Sequence, residues 1–145
     1  MSAAFPAALT QKNTTIMSVY QTTAQSLADV TLTTLVHQAK EVDTCNGYNP
    51  STGRYTPNVA GWYHIIGQIF VSGAGVYLQI NKNGNVAKGG VLNAPAVQAT
   101  ALVYLNGASD YVTMVGYQNS GAAAATNIGQ VYNYFQAYWV SSGTP

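Results

Sequence analysis

Gly, Asn and Pro punctuate this chain so closely that every run between them is short, and the runs carry β-branched and aromatic residues with alternating polarity. That punctuation constrains the fold more than any other feature. A helix needs an uninterrupted apolar stripe over three or more turns, whereas a strand needs only four to eight residues between turns. Residues 35–42 are the nearest helical candidate, but they are few and flanked by β-branched neighbours.

The clearest strand lies at Val76, Leu78 and Ile80, which alternate with Tyr77, Gln79 and Asn81. Asn83-Gly84 then supplies the two positive-φ positions of a type I′ hairpin, and Val86 begins the return. Residues 96–105 repeat the alternation, with Val97, Ala99, Ala101, Val103 and Leu105 on one face, and stop at a second turn, Asn106-Gly107. Residues 61–71 are apolar on both faces, through Trp62, Tyr63, Ile65, Ile66, Ile69, Phe70 and Val71, and Gly67 predicts a bulge or a close approach. An antiparallel strand that is apolar on both sides requires a cover over its outer face, and a subunit interface is the simplest one. Further strands are expected over residues 14–22, 30–37, 111–117 and 132–140, with a weaker one at 40–46, turns over 46–53 and a loop at 121–126. Eight to ten such strands predict an all-β, two-sheet sandwich with Greek-key or jelly-roll wiring. Spacing alone does not choose between the wirings.

The chain of 145 residues is long enough to bury about two-thirds of its unfolded surface. Only 6% of it is charged, against about 25% in an ordinary globular domain. So few charges give little protection against association, so the first expectation is a permanent oligomer or a larger assembly, and the second a protein outside the cell under different solubility constraints. The net charge of +1, with Lys12, Lys40, Arg54, Lys82 and Lys88 scattered, gives no footprint for nucleic acid. No apolar stretch is long enough for a transmembrane helix, and the N-terminus lacks the pattern of a secretory signal. Cys45 has no partner for an internal disulfide.

Chemistry-bearing residues are sparse. His37 and His64 lack ligand spacing and read as hydrogen-bonded strand residues. Glu41 and Asp43 are two apart, on one face of a strand; a solvated edge pair is the expectation, and a calcium site, which wants several hard oxygen ligands, is the alternative. No serine sits in a nucleophile motif. The expectation is therefore a protein without catalytic residues, metal ligands or cofactor. The 11 tyrosines point instead to packing: Trp62, Tyr63, Ile65, Ile69, Tyr134, Tyr138 and Trp139 are the expected residues of the core or of a threefold interface.

Tyr55-Thr56-Pro57-Asn58-Val59-Ala60-Gly61-Trp62-Tyr63 resembles the central motif of the C1q-like domain, a branch of the C1q/TNF jelly-roll superfamily. The similarity continues through the lysine-asparagine-glycine hairpin at Lys82-Asn83-Gly84, the turn at Asn106-Gly107 and the closing strand Phe135-Gln136-Ala137-Tyr138-Trp139-Val140. Ala137 departs from the glycine usual in that strand. The resemblance covers residues 14–140 and implies a jelly roll assembled as a homotrimer, with residues 1–13 an arm and 141–145 a short tail. Without a collagen-like stalk or a heptad neck, the chain looks most like virion proteins of tailed bacteriophages. That likeness implies a capsid decoration protein bound to a major capsid protein, with Phe5 and Pro6 of the arm as attachment residues. The alternatives are the head of a tail fibre that contacts a host cell-surface glycan or protein, and a secreted C1q-like recognition module.

Overall fold

The computed structural model describes residues 15–90 and 94–145. The arm, with Phe5 and Pro6, lies outside the described residues. Thirteen strands follow in chain order: β1 (Ile16–Tyr20), β2 (Ser26–Leu27), β3 (Thr33–Thr34), β4 (Ala39–Asp43), β5 (Tyr48–Asn49), β6 (Arg54–Tyr55), β7 (Gly61–Phe70), β8 (Val76–Lys82), β9 (Asn85–Gly89), β10 (Ala96–Leu105), β11 (Val112–Gln118), β12 (Ala124–Ala125) and β13 (Tyr134–Ser141). No helix occurs among the described residues.

Two antiparallel sheets face each other as an all-β jelly-roll sandwich. One has the order β10-β7-β13-β1-β4, and the other runs β5-β6-β11-β8-β9 with β3 added beside β11. A two-stranded patch of β12 and β2 lies apart from both. In the first sheet, β7 and β10 pair along their full length, from Gly61↔Leu105 to Phe70↔Ala96. In this long register without slip, burial alternates residue by residue on both strands, and one residue of slip would turn every inward side chain outward.

The core is built from the inward rows. Tyr63, Ile65 and Ile69 of β7 and Leu105 of β10 are fully buried, facing Leu78 and Ile80 of β8 and Met114 of β11. Burying one such aliphatic side chain contributes about 1.5–3 kcal/mol. At one end an edge-to-face cluster joins Tyr48, Tyr55, Tyr63 and Phe135, with centroids 5.9–6.4 Å apart. Tyr63 donates its hydroxyl to Val59 O at 2.8 Å, and burial pushes its pKa up to about 12. Gly67 proves to be a close approach and not a bulge: neither ladder shifts there, and a Cβ would collide with the Met114 side chain.

The turns behave as their residues require. Asn83 (φ 50°) and Gly84 (φ 83°) form the predicted left-handed pair. Asn106 Oδ1 accepts the backbone N–H groups of Ala108, Ser109 and Asp110 at 2.9–3.0 Å, so one side chain organises the second turn.

Three expectations are corrected. Residues 30–37 form a strand only at Thr33–Thr34, because Val30 is held at φ 52° by its N–H to Gln118 O and the segment leaves the ladder beyond Thr34. His37 consequently lies in the connection to β4, buried, and not in a strand. Asp43 is no solvated edge residue. Its carboxylate accepts Gly47 N and Tyr48 N at 3.0 and 2.9 Å and fixes the loop between β4 and β5.

Candidate interaction surface

The outward face of the β10-β7-β13-β1-β4 sheet is the candidate functional surface. Its composition is unusual for a solvent-facing sheet: β1, β7, β10 and β13 contain no Asp, Glu, Lys or Arg. An antiparallel sheet open to water normally alternates apolar with charged or polar residues. Here the outward positions carry aromatic and aliphatic side chains interleaved with amides.

Trp62, His64, Ile66, Gln68 and Phe70 project from β7, and all are partly buried within the single chain. Across the ladder, Leu102 and Tyr138 stand 56% and 44% exposed. Tyr138 pairs with His64 in register, and its hydroxyl lies 2.8 Å from His64 Nδ1, with the rings edge to face. Trp62 meets Tyr104 edge to face at 5.8 Å, and Phe70 stacks on Tyr132 at 5.3 Å.

Hydrogen bonds satisfy the polar members, and among those named here a charge enters only at Glu41 on the β4 edge. Gln98 Nε2 donates to Tyr134 Oη at 2.7 Å, and Tyr134 donates onward to Gln68 Oε1 at 3.2 Å. Gln68 Nε2 reaches Val131 O and Tyr132 O at 3.1 Å. At the far edge Gln136 Nε2 donates to Ser18 Oγ, which donates to Glu41 Oε2 at 2.5 Å. A face whose polar groups already bond each other loses little hydration when covered, because no donor is newly stranded.

The seven aromatic and aliphatic residues expected in the core or the interface divide cleanly. Tyr63, Ile65 and Ile69 point inward and belong to the core. Trp139 also packs against the core, with its indole N–H donating to Ala60 O at 3.1 Å. Trp62, Tyr134 and Tyr138 lie on the outward face. Sequence reasoning missed His64, Gln68, Gln98 and Leu102 as members of this surface. Their signal was present: Leu102 and Gln98 occupy the alternate positions to the inward row of β10.

Among the described residues no three His, Cys, Asp or Glu side chains cluster as a metal site would require. No helix there is long and apolar enough to cross a membrane.

No family model matches the sequence, and no curated protein sequence matches it either. Solved structures do. The globular domain of zebrafish complement 1qA superposes with a TM-score of 0.68 at 16% identity, covering 90% of this chain and all of that one. Murine APRIL at pH 5.0 gives 0.68 at 11% identity, over 88% of this chain and all of its own. Eiger TNF from S. frugiperda gives 0.69 at 10% identity, over 91% and 96%. Sequence likeness is low throughout, but each superposition covers about nine-tenths of this chain, and the chain has the C1q/TNF jelly-roll fold.

Proposed function

We propose that the protein is a non-enzymatic, homotrimeric recognition module of the C1q/TNF type that acts outside the cell. The three copies pack through the outward face of the β10-β7-β13-β1-β4 sheet. The observation that carries this reading is the absence of any charged residue from four of its five strands. Interface cores are depleted of charge and enriched in aromatic residues, and an uncovered apolar sheet face is an aggregation hazard. A threefold ring closes a heterologous contact and leaves no sticky surface free.

Sedimentation equilibrium at micromolar concentration tests the assembly. The expected mass is about three times the chain mass of 15.3 kDa. Leu102→Arg places a charge on the face without touching the core, and should yield a folded monomer with an unchanged far-ultraviolet spectrum. A monomeric wild type, or a trimer indifferent to Leu102→Arg, would exclude this interface.

A second reading is a virion structural protein, a capsid decoration trimer or the head of a tail fibre, whose partner is the major capsid protein or a host surface group. One observation favours it: with 6% charged residues, a freely diffusing trimer would have weak electrostatic protection against association, a problem that fixation on a particle removes. None of the structural relatives named above is a virion protein. Electron microscopy of particles labelled with an antibody to this chain decides between a lattice-bound, a tail-bound and a free protein.

A further inference from the structure

The opposite sheet carries a second feature, which does not depend on the trimer. Strands β8 and β11 pair Asn81 with Thr113, Gln79 with Val115 and Tyr77 with Tyr117. These six side chains alternate with the inward Leu78, Ile80, Val112 and Met114, so they point away from the core. Outward residues of a central sheet should be open to water. Yet Gln79, Asn81, Thr113 and Val115 are only 5–8% exposed.

They are sheltered because they floor a cavity. The Leu32–Thr34 segment beside β11, Thr52 in the turn before β6, and Arg54 of β6 wall a space of about 340 Å³ over the amides. That volume lies in the range of small-ligand pockets. A second hollow of about 490 Å³ shares Leu32 and Gln79 with the first and is otherwise lined by Tyr77 and Tyr117. Together they make a trough with a polar end and an aromatic end. Gly89 is part of the design: a Cβ there would overlap the Tyr77 ring, which lies across it.

Arg54 stands at the polar end. Its guanidinium carbon sits 4.1 Å above the centroid of Tyr111, which holds it in place. Asp110 is already bonded to Lys82 at 3.1 Å and to Asn83 at 2.8 Å. Arg54 has no acidic partner among the described residues. On the floor, Gln79 Nε2 donates to Asn81 Oδ1 at 2.9 Å, and Asn81 Nδ2 donates to Gly84 O at 3.4 Å. No hydrogen bond among the described residues engages Gln79 Oε1 or Thr113 Oγ1.

We infer that this trough binds an acidic saccharide, a chain carrying uronic acid units. The guanidinium takes the carboxylate through paired N–H donors, the geometry that arginine offers and lysine does not. Amide and hydroxyl side chains each present donors and acceptors, which match the vicinal hydroxyls of a pyranose. Tyr77 and Tyr117 offer flat, amphipathic faces to the apolar side of the next ring. A polyphosphate or nucleic acid is a poorer fit, because a single cation does not neutralise a run of phosphates. An amphipathic peptide is a poorer fit as well, since the floor at the Arg54 end consists of amides.

Titration of the intact protein with a hyaluronan hexasaccharide, followed calorimetrically and by the side-chain amide resonances of asparagine and glutamine, tests the inference. The N-acetylglucosamine hexamer of chitin, neutral and of equal length, is the control. Saturable binding of the acidic chain is expected, one per subunit, with affinity about tenfold above that for the neutral chain. Arg54→Gln should remove that difference, and Tyr117→Ala should weaken both ligands. Arg54 is exposed, so its variant keeps the fold, as an unchanged melting temperature will verify. No saturable binding of the hexasaccharide up to about 10 mM, near the weak limit of specific recognition, would overturn the proposal. Equal affinity for the two chains, or an Arg54→Gln variant that binds like wild type, would overturn it too. Sedimentation of the same samples reports the trimer separately, so failure of one idea leaves the other standing.

Discussion

Replacing His37 by glutamine while stability is followed against pH probes a device that the fold has buried at one end of its core. The imidazole is 1% exposed and packs against Tyr48 and Phe135 at centroid distances of 6.1 and 6.0 Å. The Tyr48 hydroxyl accepts the backbone N–H of His37 at 2.9 Å and lies 3.0 Å from its Nδ1. Whichever group donates across the Tyr48 Oη–Nδ1 contact, it is the one side-chain hydrogen bond of the imidazole among the described residues. Nε2 has no partner among the described residues. A protonated ring would need an acceptor at Nε2 as well, and burial supplies neither that acceptor nor water. Burial accordingly lowers the His37 pKa to about 3, from 6.5 in an unfolded chain.

The consequence for stability has a definite sign. The unfolded chain binds a proton below pH 6.5 and the folded one does not, so the stabilisation is complete above pH 6.5 and is lost progressively as pH falls toward 3. Between pH 8 and pH 4.5 the loss from this group is roughly 2–3 kcal/mol, at about 1.4 kcal/mol per pH unit once the unfolded imidazole is charged. Asp110, whose carboxyl is held below its ordinary value chiefly by the Asn83 hydrogen bond, loses its contribution only in more acidic solution. Urea unfolding of wild type and His37→Gln at matched protein concentration, in half-unit steps from pH 8 to 4.5, measures the difference directly. The wild type should fall relative to the variant by roughly 2–3 kcal/mol across that range. Parallel curves would refute the reasoning and place the imidazole in contact with water.

Other substitutions test the turns and the tight contacts. Gly84→Val, at φ 83° in the β8–β9 hairpin, should cost about 1–2 kcal/mol in chemical denaturation, since a β-branched residue resists the left-handed region. Gly61→Ala should cost more, about 2–4 kcal/mol, and lower the melting temperature sharply. The residue sits at φ 147°, and an added Cβ would strike Ser141 O and the Trp139 indole. Asn106→Ala removes the acceptor shared by three backbone N–H groups and should cost about 1–2 kcal/mol, with faster amide exchange confined to residues 108–110.

Much of the fold was legible because strand periodicity and turn chemistry are local. The ten residues of β10 were readable from alternation, as was the Asn83-Gly84 turn from its two residue types. The long apolar run of β7 also announced large side chains on both of its faces. Where local cues conflicted with tertiary contacts, the contacts won. Residues 30–37 look like a strand by composition, yet Val30 is turned out of the ladder by its bond to Gln118, a residue far along the chain. Asp43 reads as a surface charge, and only the return of the chain through Gly47 and Tyr48 gives its carboxylate two N–H donors.

The sequence by itself determined which side chains share a face, since successive residues of a strand point to opposite sides whatever the strand packs against. It could not determine what each face meets. Trp62 and Tyr63 are neighbours of similar character, and Tyr63 is core while Trp62 belongs to an outward surface, a distinction that arises when one face of this sheet closes on β8 and β11. In the same way Gln79 and Thr113 are ordinary polar strand residues until β8 and β11 pair and the Leu32–Thr34 segment shelters them. Those pairings join residues tens of positions apart, and their free energy depends on sheet order and burial, quantities that no local pattern encodes.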